Sequence, residues 1–325
     1  MNRVLTFSAA AVVAAAGVAA VRAQQPAGAA AAGNVGVLHV RSNVSMVVGP
    51  DGENGAVSIG DEGVLVVDTM KTASAPKLLA TIRGLSSRAI LWIVNTSSRP
   101  EHAGGNATIA PAGRLISTGN SRGGNAASIY AFQNAMMRLN GSDKSNDAVA
   151  PEGWPTDSFF VKQKDMSFNG EAVQLLHVPN ASTDGDTIVF FRRSDVIAVG
   201  DIFTPQQYPI IDLEEGGSIN GYIAGLNYLL ELTVPELNEE GGTMVIPGHG
   251  HLCDEADVGD YRDMVTIVRD RVQDAIKKKM TLEQVKAAKL TFDYDGVYAT
   301  PEYTGDMFVE RIYKSLTQPA KPAVK

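Results

Sequence analysis

The sequence predicts an α/β fold made of two strand-rich halves, each followed by helices. Three observations carry that expectation. Continuous apolar runs such as Val64-Leu65-Val66-Val67 and Thr187-Ile188-Val189-Phe190-Phe191 read as strands buried on both faces. Between Gly36 and Gly60 apolar and polar residues alternate, with Gly, Pro and Asp between the runs, which reads as antiparallel hairpins. Polar loops follow the buried runs directly, at the carboxyl ends of strands where open α/β folds place their chemistry.

In chain order, Val64–Val67 ends in Asp68-Thr69, and Ala73 to Leu85 has helical spacing before Ser86. The strand Ala89 to Val94 runs into Asn95-Thr96, a polar loop, and the small residues Ala103-Gly104-Gly105 that open a helix. A short helix is expected over 106–110, a strand over 115–117, and a helix from about Ala126 to Leu139. Residues 140–156 carry Gly141, Pro151, Gly153 and Pro155 and read as a long surface loop, with Trp154 its most notable side chain. Strands are expected over 159–164 and 171–177, then over 187–191 and 196–199, the last ending in Gly200-Asp201. A helix over 219–232 and a strand over 243–246 lead to Pro247-Gly248-His249-Gly250-His251. From Glu255 to Lys279 the apolar residues follow one helical face, Thr281 with Glu283-Gln284 opens a shorter helix, and Met307 to Leu316 closes the fold. Lys277-Lys278-Lys279 reads as a helix C-terminus.

The ends of the 325-residue chain are set apart by composition. Asn2-Arg3 is a short basic start, Val4 to Ala20 is apolar, and Val21-Arg22-Ala23 ends on a small residue, so 1–23 reads as a signal peptide and the protein as exported, periplasmic or secreted. The apolar run is short, and an Ala/Gly linker, 24–35, follows it rather than a charged stop signal, which argues against a membrane anchor after cleavage. The domain is expected over 36–318, its C-terminal helices beginning near 255, with a disordered tail at 319–325. The single cysteine, Cys253, allows no internal disulfide, so the fold stands on its apolar core. A net charge of −8 without a basic cluster makes nucleic acid a poor partner.

The stretch Ile93 to Asn106, IVNTSSRPEHAGGN, resembles the signature loop of the metallo-β-lactamase superfamily, His-x-His-x-Asp-His followed by a small residue and Gly-Gly. Four further motifs agree in order between Gly36 and His251: Asp68 after its strand, Thr183-Asp184-Gly185-Asp186, Gly200-Asp201, and His249 after Pro247-Gly248. The resemblance implies an αββα four-layer sandwich and a hydrolytic two-zinc site. It also implies that the three histidines of the first zinc are replaced here by Ser97, Arg99 and Ser182. The second set, Glu101, His102 and His249 with Asp201 as the bridging residue, is chemically intact, and the resemblance implies that Asp68 orients the ligand loop, where its plainer reading is a strand-end turn residue. Asp201 and Glu101 are the candidates for catalytic residues. His177 lies within a strand and reads as structural, and His251 as a solvated or supporting group.

Serine hydroxyls are not among the usual zinc donors, so Ser97 and Ser182 do not rebuild the first site. At most one zinc per chain, or none, is expected. Arg99 leaves three arrangements open. If it points at a metal ~4 Å away, the repulsion is roughly 8 kcal/mol at an effective dielectric near 20, against about 10–16 kcal/mol for structural zinc binding. Alternatively it pairs with Asp201 and Glu101 and stands in for a cation, or it swings to the rim.

Three functions follow as expectations. One is an exported protein of impaired two-zinc chemistry whose pocket binds a small molecule, an anion through Arg99 and His102 being the candidate. The second is a single-metal hydrolase using Glu101, His102, Asp201 and His249. The third is a partner-binding protein that docks through the helix from Glu255.

Overall fold

The computed structural model describes residues 34–115, 125–142, 147–234 and 242–318. The expected signal peptide, most of the linker, the tail, most of the strand at 115–117 and part of the 140–156 loop lie outside the described residues.

The first half begins as the alternation requires. Strands β1 (Gly36–Arg41), β2 (Val44–Val48), β3 (Asn54–Ile59) and β4 (Val64–Val67) form an antiparallel meander. Helix α1 (Ala75–Leu85) then returns the chain so that β5 (Ile90–Val94) lies parallel to β4. Two single-turn helices, α2 (Pro100–Ala103) and α3 (Asn106–Ile109), follow the polar loop. Next come β6 (Ser128–Phe132), parallel to β5, helix α4 (Gln133–Leu139), and β7 (Asp157–Phe159), parallel to β6. The seven strands form one sheet in sequence order.

The second sheet has the order β12-β11-β10-β9-β8. Its strands are β8 (Gln163–Phe168), β9 (Glu171–Val178), β10 (Asp186–Phe191), β11 (Val196–Ala198) and, after helix α5 (Ile219–Leu232), β12 (Met244–Ile246). Only β11 and β12 pair in parallel. Helices α6 (Glu255–Lys277), α7 (Leu282–Ala287), α8 (Phe292–Tyr298) and α9 (Gly305–Thr317) complete the chain.

Period two in the strands sets the layers. Leu65 and Val67 face inward with Val94, Phe132 and Phe159 against Leu175, Val189 and Phe191 of the other sheet. Val64 and Val66 face outward and pack with Leu78 and Ile82 of α1 and with Ile109. On the far side Ile188 and Phe190 of β10 pack with Tyr222 and Leu226 of α5, Val265 and Val268 of α6, and Phe308 of α9. Helices thus cover both outer faces of two stacked sheets, the four-layer αββα arrangement.

Three local expectations are corrected. The helix expected over 126–139 is strand β6 followed by the shorter α4. Ile129, Tyr130 and Phe132 suit a pleated surface, and Tyr130 packs its ring against Trp92 of the neighbouring strand at 5.3 Å. The strand expected over 159–164 is broken, because β7 belongs to the first sheet and β8 to the second; Phe160, 74% exposed, lies in the crossing. Helix α8 was not expected; it is short and fully buries no residue, its contact with the core being made by the half-buried Tyr294 and Tyr298.

Candidate functional site

The polar residues singled out above meet at one rim of the sandwich, where β4, β5, β11 and β12 end. Asp68 follows β4 with a positive φ of 62°, a conformation that Asp tolerates better than most residues. Its carboxylate is thereby placed under the next loop. Oδ1 accepts the Thr96 N–H at 2.8 Å, and Oδ2 accepts the Thr96 hydroxyl at 2.6 Å and His102 Nδ1–H at 2.8 Å. The Thr69 N–H donates to the His102 carbonyl at 2.8 Å, and Asn95 and Asn106 bond each other beside it. The loop after β5 is therefore held from both its backbone and its side chains.

His102 has no exposed surface and lies between two carboxylates. Its Nε2 is 3.0 Å from Asp201 Oδ1, yet it makes no aligned hydrogen bond among the described residues. Burial works against a charged imidazole, but the charges of Asp201 and Asp68 outweigh it and raise the pKa well above the ordinary histidine value.

Asp201 is delivered by a turn that only glycine fits. Gly200 has φ 53°, and a Cβ there would lie 2.3 Å from Thr96 Oγ1. Gly248, before His249, packs equally closely: its N–H donates to the Gly200 carbonyl at 2.9 Å, and a Cβ on it would lie 2.7 Å from the Gly200 backbone. Burial raises the Asp201 carboxyl, but the charges of His102 and Arg99 dominate and hold it well below the usual carboxylate range.

Arg99, also buried, donates from Nη1 to Asp201 Oδ2 at 2.9 Å and from Nη2 to the Ile210 carbonyl at 3.4 Å. The Ser182 hydroxyl donates to that same carbonyl at 2.9 Å, and the Arg99 N–H donates to Ser97 Oγ at 3.4 Å. Arg99 and Ser182 thus meet at the Ile210 carbonyl, with Ser97 two residues before Arg99 in the same loop. Of the three arrangements open to Arg99, the structure has the pairing with Asp201 but, among the described residues, no ion pair with Glu101. Burial opposes the Arg99 charge, but Asp201, Asp186, Glu101 and Asp212 together keep it firmly protonated.

Glu101 is half-buried, and one donor atom from each of Glu101, His102 and Asp201 lies within 4.8 Å of the others. His249 stands beside this group, its ring centroid 6.4 Å from that of His102 and nearly perpendicular to it. Burial lowers its pKa despite the nearby Asp201. The loop that carries it is pinned by Asn54, whose N–H donates to the Gly248 carbonyl at 2.8 Å and whose Nδ2 donates to the carbonyls of Pro247 and Gly250. Glu53 forms an isolated bridge with His249 and is wholly buried.

His177 stays out of the site: its ring stacks on Phe132 at 3.5 Å and its Nδ1 is 3.2 Å from the Asp186 carbonyl. Asn54, Glu53 and Ile210 were missed in the sequence. Ile210 acts through a backbone carbonyl, which no side-chain pattern reveals.

No family model and no curated protein matches the chain. Solved structures do. The sec-alkylsulfatase Pisa1 from Pseudomonas sp. aligns over 86% of this chain with a TM-score of 0.63 and 16% identity, and this chain spans 50% of that one. A double mutant of the same enzyme gives a TM-score of 0.65 at 15% identity over 87% of this chain and, again, 50% of the other. A metallo-beta-lactamase from Pontibacter korlensis aligns with 72% of this chain and 99% of its own at a TM-score of 0.55 and 14% identity.

Proposed function

The chain has the metallo-β-lactamase fold, and on that frame we propose that Arg99 takes the place of one of two cations, leaving a centre around Asp201 that holds at most one metal and lacks two-zinc hydrolysis. The observation that carries this reading is the 2.9 Å bond between Arg99 and Asp201, with Arg99 and Ser182 anchored on one carbonyl. The Ser182 hydroxyl is committed to the backbone, and the guanidinium keeps its charge at any physiological pH. Arg99 and His102 balance Asp68 and Asp201, so the buried cluster is compensated without an ion.

One metal fits the remaining donors. His102 Nδ1 is oriented by Asp68, and its buried Nε2 lies 3.0 Å from Asp201 Oδ1 without an aligned hydrogen bond, so a metal would take this nitrogen only by displacing its proton. Glu101, His102, Asp201 and His249 would hold it, and a metal there polarises a carbonyl or phosphoryl group. This observation favours the second reading, a single-metal hydrolase.

The ligand we propose is a small molecule with an anionic group. His102 has no exposed surface and Arg99 keeps 9%, so an anion would meet the edge of the Arg99 guanidinium that is not bonded to Asp201. From the sequence of residues 1–23 we also propose an exported protein, periplasmic or secreted, without a membrane anchor after cleavage. N-terminal sequencing of the mature chain tests the cleavage; a retained Met1 contradicts it.

Hydrolysis assays on lactam, lactone, thioester and sulfate-ester substrates, with added zinc and with EDTA, separate the two functional readings. No turnover supports the impaired site. Zinc-dependent turnover that is lost in His249→Ala supports the single-metal hydrolase instead.

A further inference from the structure

A second set of donors lies at the start of α6. His251, Cys253 and Asp257 each present one donor atom, and the three atoms lie within 4.8 Å of one another. The backbone beneath them is fixed. Cys253 exchanges N–H···O bonds with Val245 of β12 at 2.9 and 2.8 Å, and Asp257 closes a capping box with Asp254 at the first turn of the helix. The Asp254 N–H donates to Asp257 Oδ2 at 3.2 Å, which orients that carboxylate. Cys253 is 2% exposed and His251 is exposed, so the thiol forms the floor of the group and the imidazole its rim.

We propose that His251, Cys253 and Asp257 bind one borderline-soft divalent cation, zinc by its chemistry, at a place separate from the Asp201 centre. Sulfur, nitrogen and oxygen donors from three side chains make a zinc set with one coordination position left open. Bonds of about 2.0–2.3 Å around a tetrahedral ion put neighbouring donors roughly 3.3–3.8 Å apart. Asp254 and Glu255 add negative charge in the same helical turn and offset the positive end of the helix. Without an ion the Cys253 thiol donates to the His251 carbonyl at 3.2 Å, and burial pushes its pKa up. Binding therefore releases the thiol proton to solvent. The two groups share no donor, and Gly250 with φ 99° separates His249 from His251.

Cobalt(II) titration of the purified full-length chain tests the site, since a near-ultraviolet thiolate-to-cobalt band can arise only from Cys253, the sole cysteine. The band is expected in the wild type and undiminished in His249→Ala, and absent in Cys253→Ser. His251→Ala, at an exposed position that leaves the core untouched, is expected to weaken cobalt binding by at least roughly tenfold. No band in the wild type, a band that survives Cys253→Ser or vanishes in His249→Ala, or an unchanged affinity in His251→Ala would each overturn the proposal.

Discussion

Arg99 and Asp201 form a buried ion pair at 2.9 Å across 102 positions of sequence, joining the loop after β5 to the turn after β11. Removing one partner of a buried pair typically costs about 3–5 kcal/mol, and without Arg99 the Asp201 carboxylate keeps only His102 as a close counter-charge, which puts the expected loss at the low end. Arg99→Met is therefore expected to lower the unfolding free energy by about 3 kcal/mol in EDTA, read by urea denaturation. Added zinc should recover more of that loss in the variant than it adds to the wild type, because the vacated positive charge is replaced. A variant as stable as the wild type in EDTA would mean that the pair is incidental.

Asp68 is the most connected carboxylate of the site, accepting three hydrogen bonds from Thr96 and His102. Asp68→Ala leaves the Thr96 donors and the His102 Nδ1 without that acceptor. A loss of about 3 kcal/mol is expected, together with weaker metal retention. Unchanged denaturation and metal content would remove Asp68 from its orienting role.

Stability should depend on pH through His102. Its folded pKa is raised, so the fold favours the protonated ring. The contribution is complete below the unfolded value of about 6.5 and is lost as pH rises through the higher folded value. In metal-free protein, the unfolding free energy should fall with pH above about 6.5 more steeply in the wild type than in His102→Gln. Asp201 acts in the opposite direction: its folded pKa is depressed, so its contribution is present above the unfolded carboxylate value and is lost in strong acid as pH falls through the folded one. Parallel curves for wild type and His102→Gln above neutrality would contradict the buried imidazolium.

Gly200→Ala isolates the geometry of the Asp201 turn. The added Cβ meets the Thr96 side chain, and the backbone there has positive φ. Destabilisation of at least about 2 kcal/mol is expected from strain and overpacking together. The companion Gly84→Ala, where a Cβ meets nothing within 4 Å, should be neutral or stabilising. Equal effects at both positions would mean that the turn is not tightly specified.

What the sequence made legible follows from where information is written. Asp68, Asp201 and His249 follow buried strands and His102 lies in α2 beyond β5; the resemblance of their motifs to the metallo-β-lactamase loops, more than the apolar runs, singled them out. That Arg99 and Ser182 lie together at the Ile210 carbonyl agrees with what the family resemblance implied for their positions. The partner of Arg99 was not fixed in advance, because a long side chain leaves several arrangements open until the Ile210 carbonyl and the Asp201 carboxylate are in place. Asn54 was invisible because it acts on the backbone of a loop nearly two hundred positions away. Strand β6 was misread because its apolar residues also fit a helical face, and only pairing with β5 decides between them.

The central claim is that a guanidinium has replaced one cation, and the most direct test counts metals. Native protein saturated with zinc, freed of loosely bound ions and assayed by elemental analysis together with Cys253→Ser, which removes the thiolate donor at α6, should carry no more than one zinc per chain in the Cys253→Ser variant. Arg99→His in that background should raise the metal content or its retention. Two zincs per chain in the Cys253→Ser protein with Arg99 intact would contradict the account.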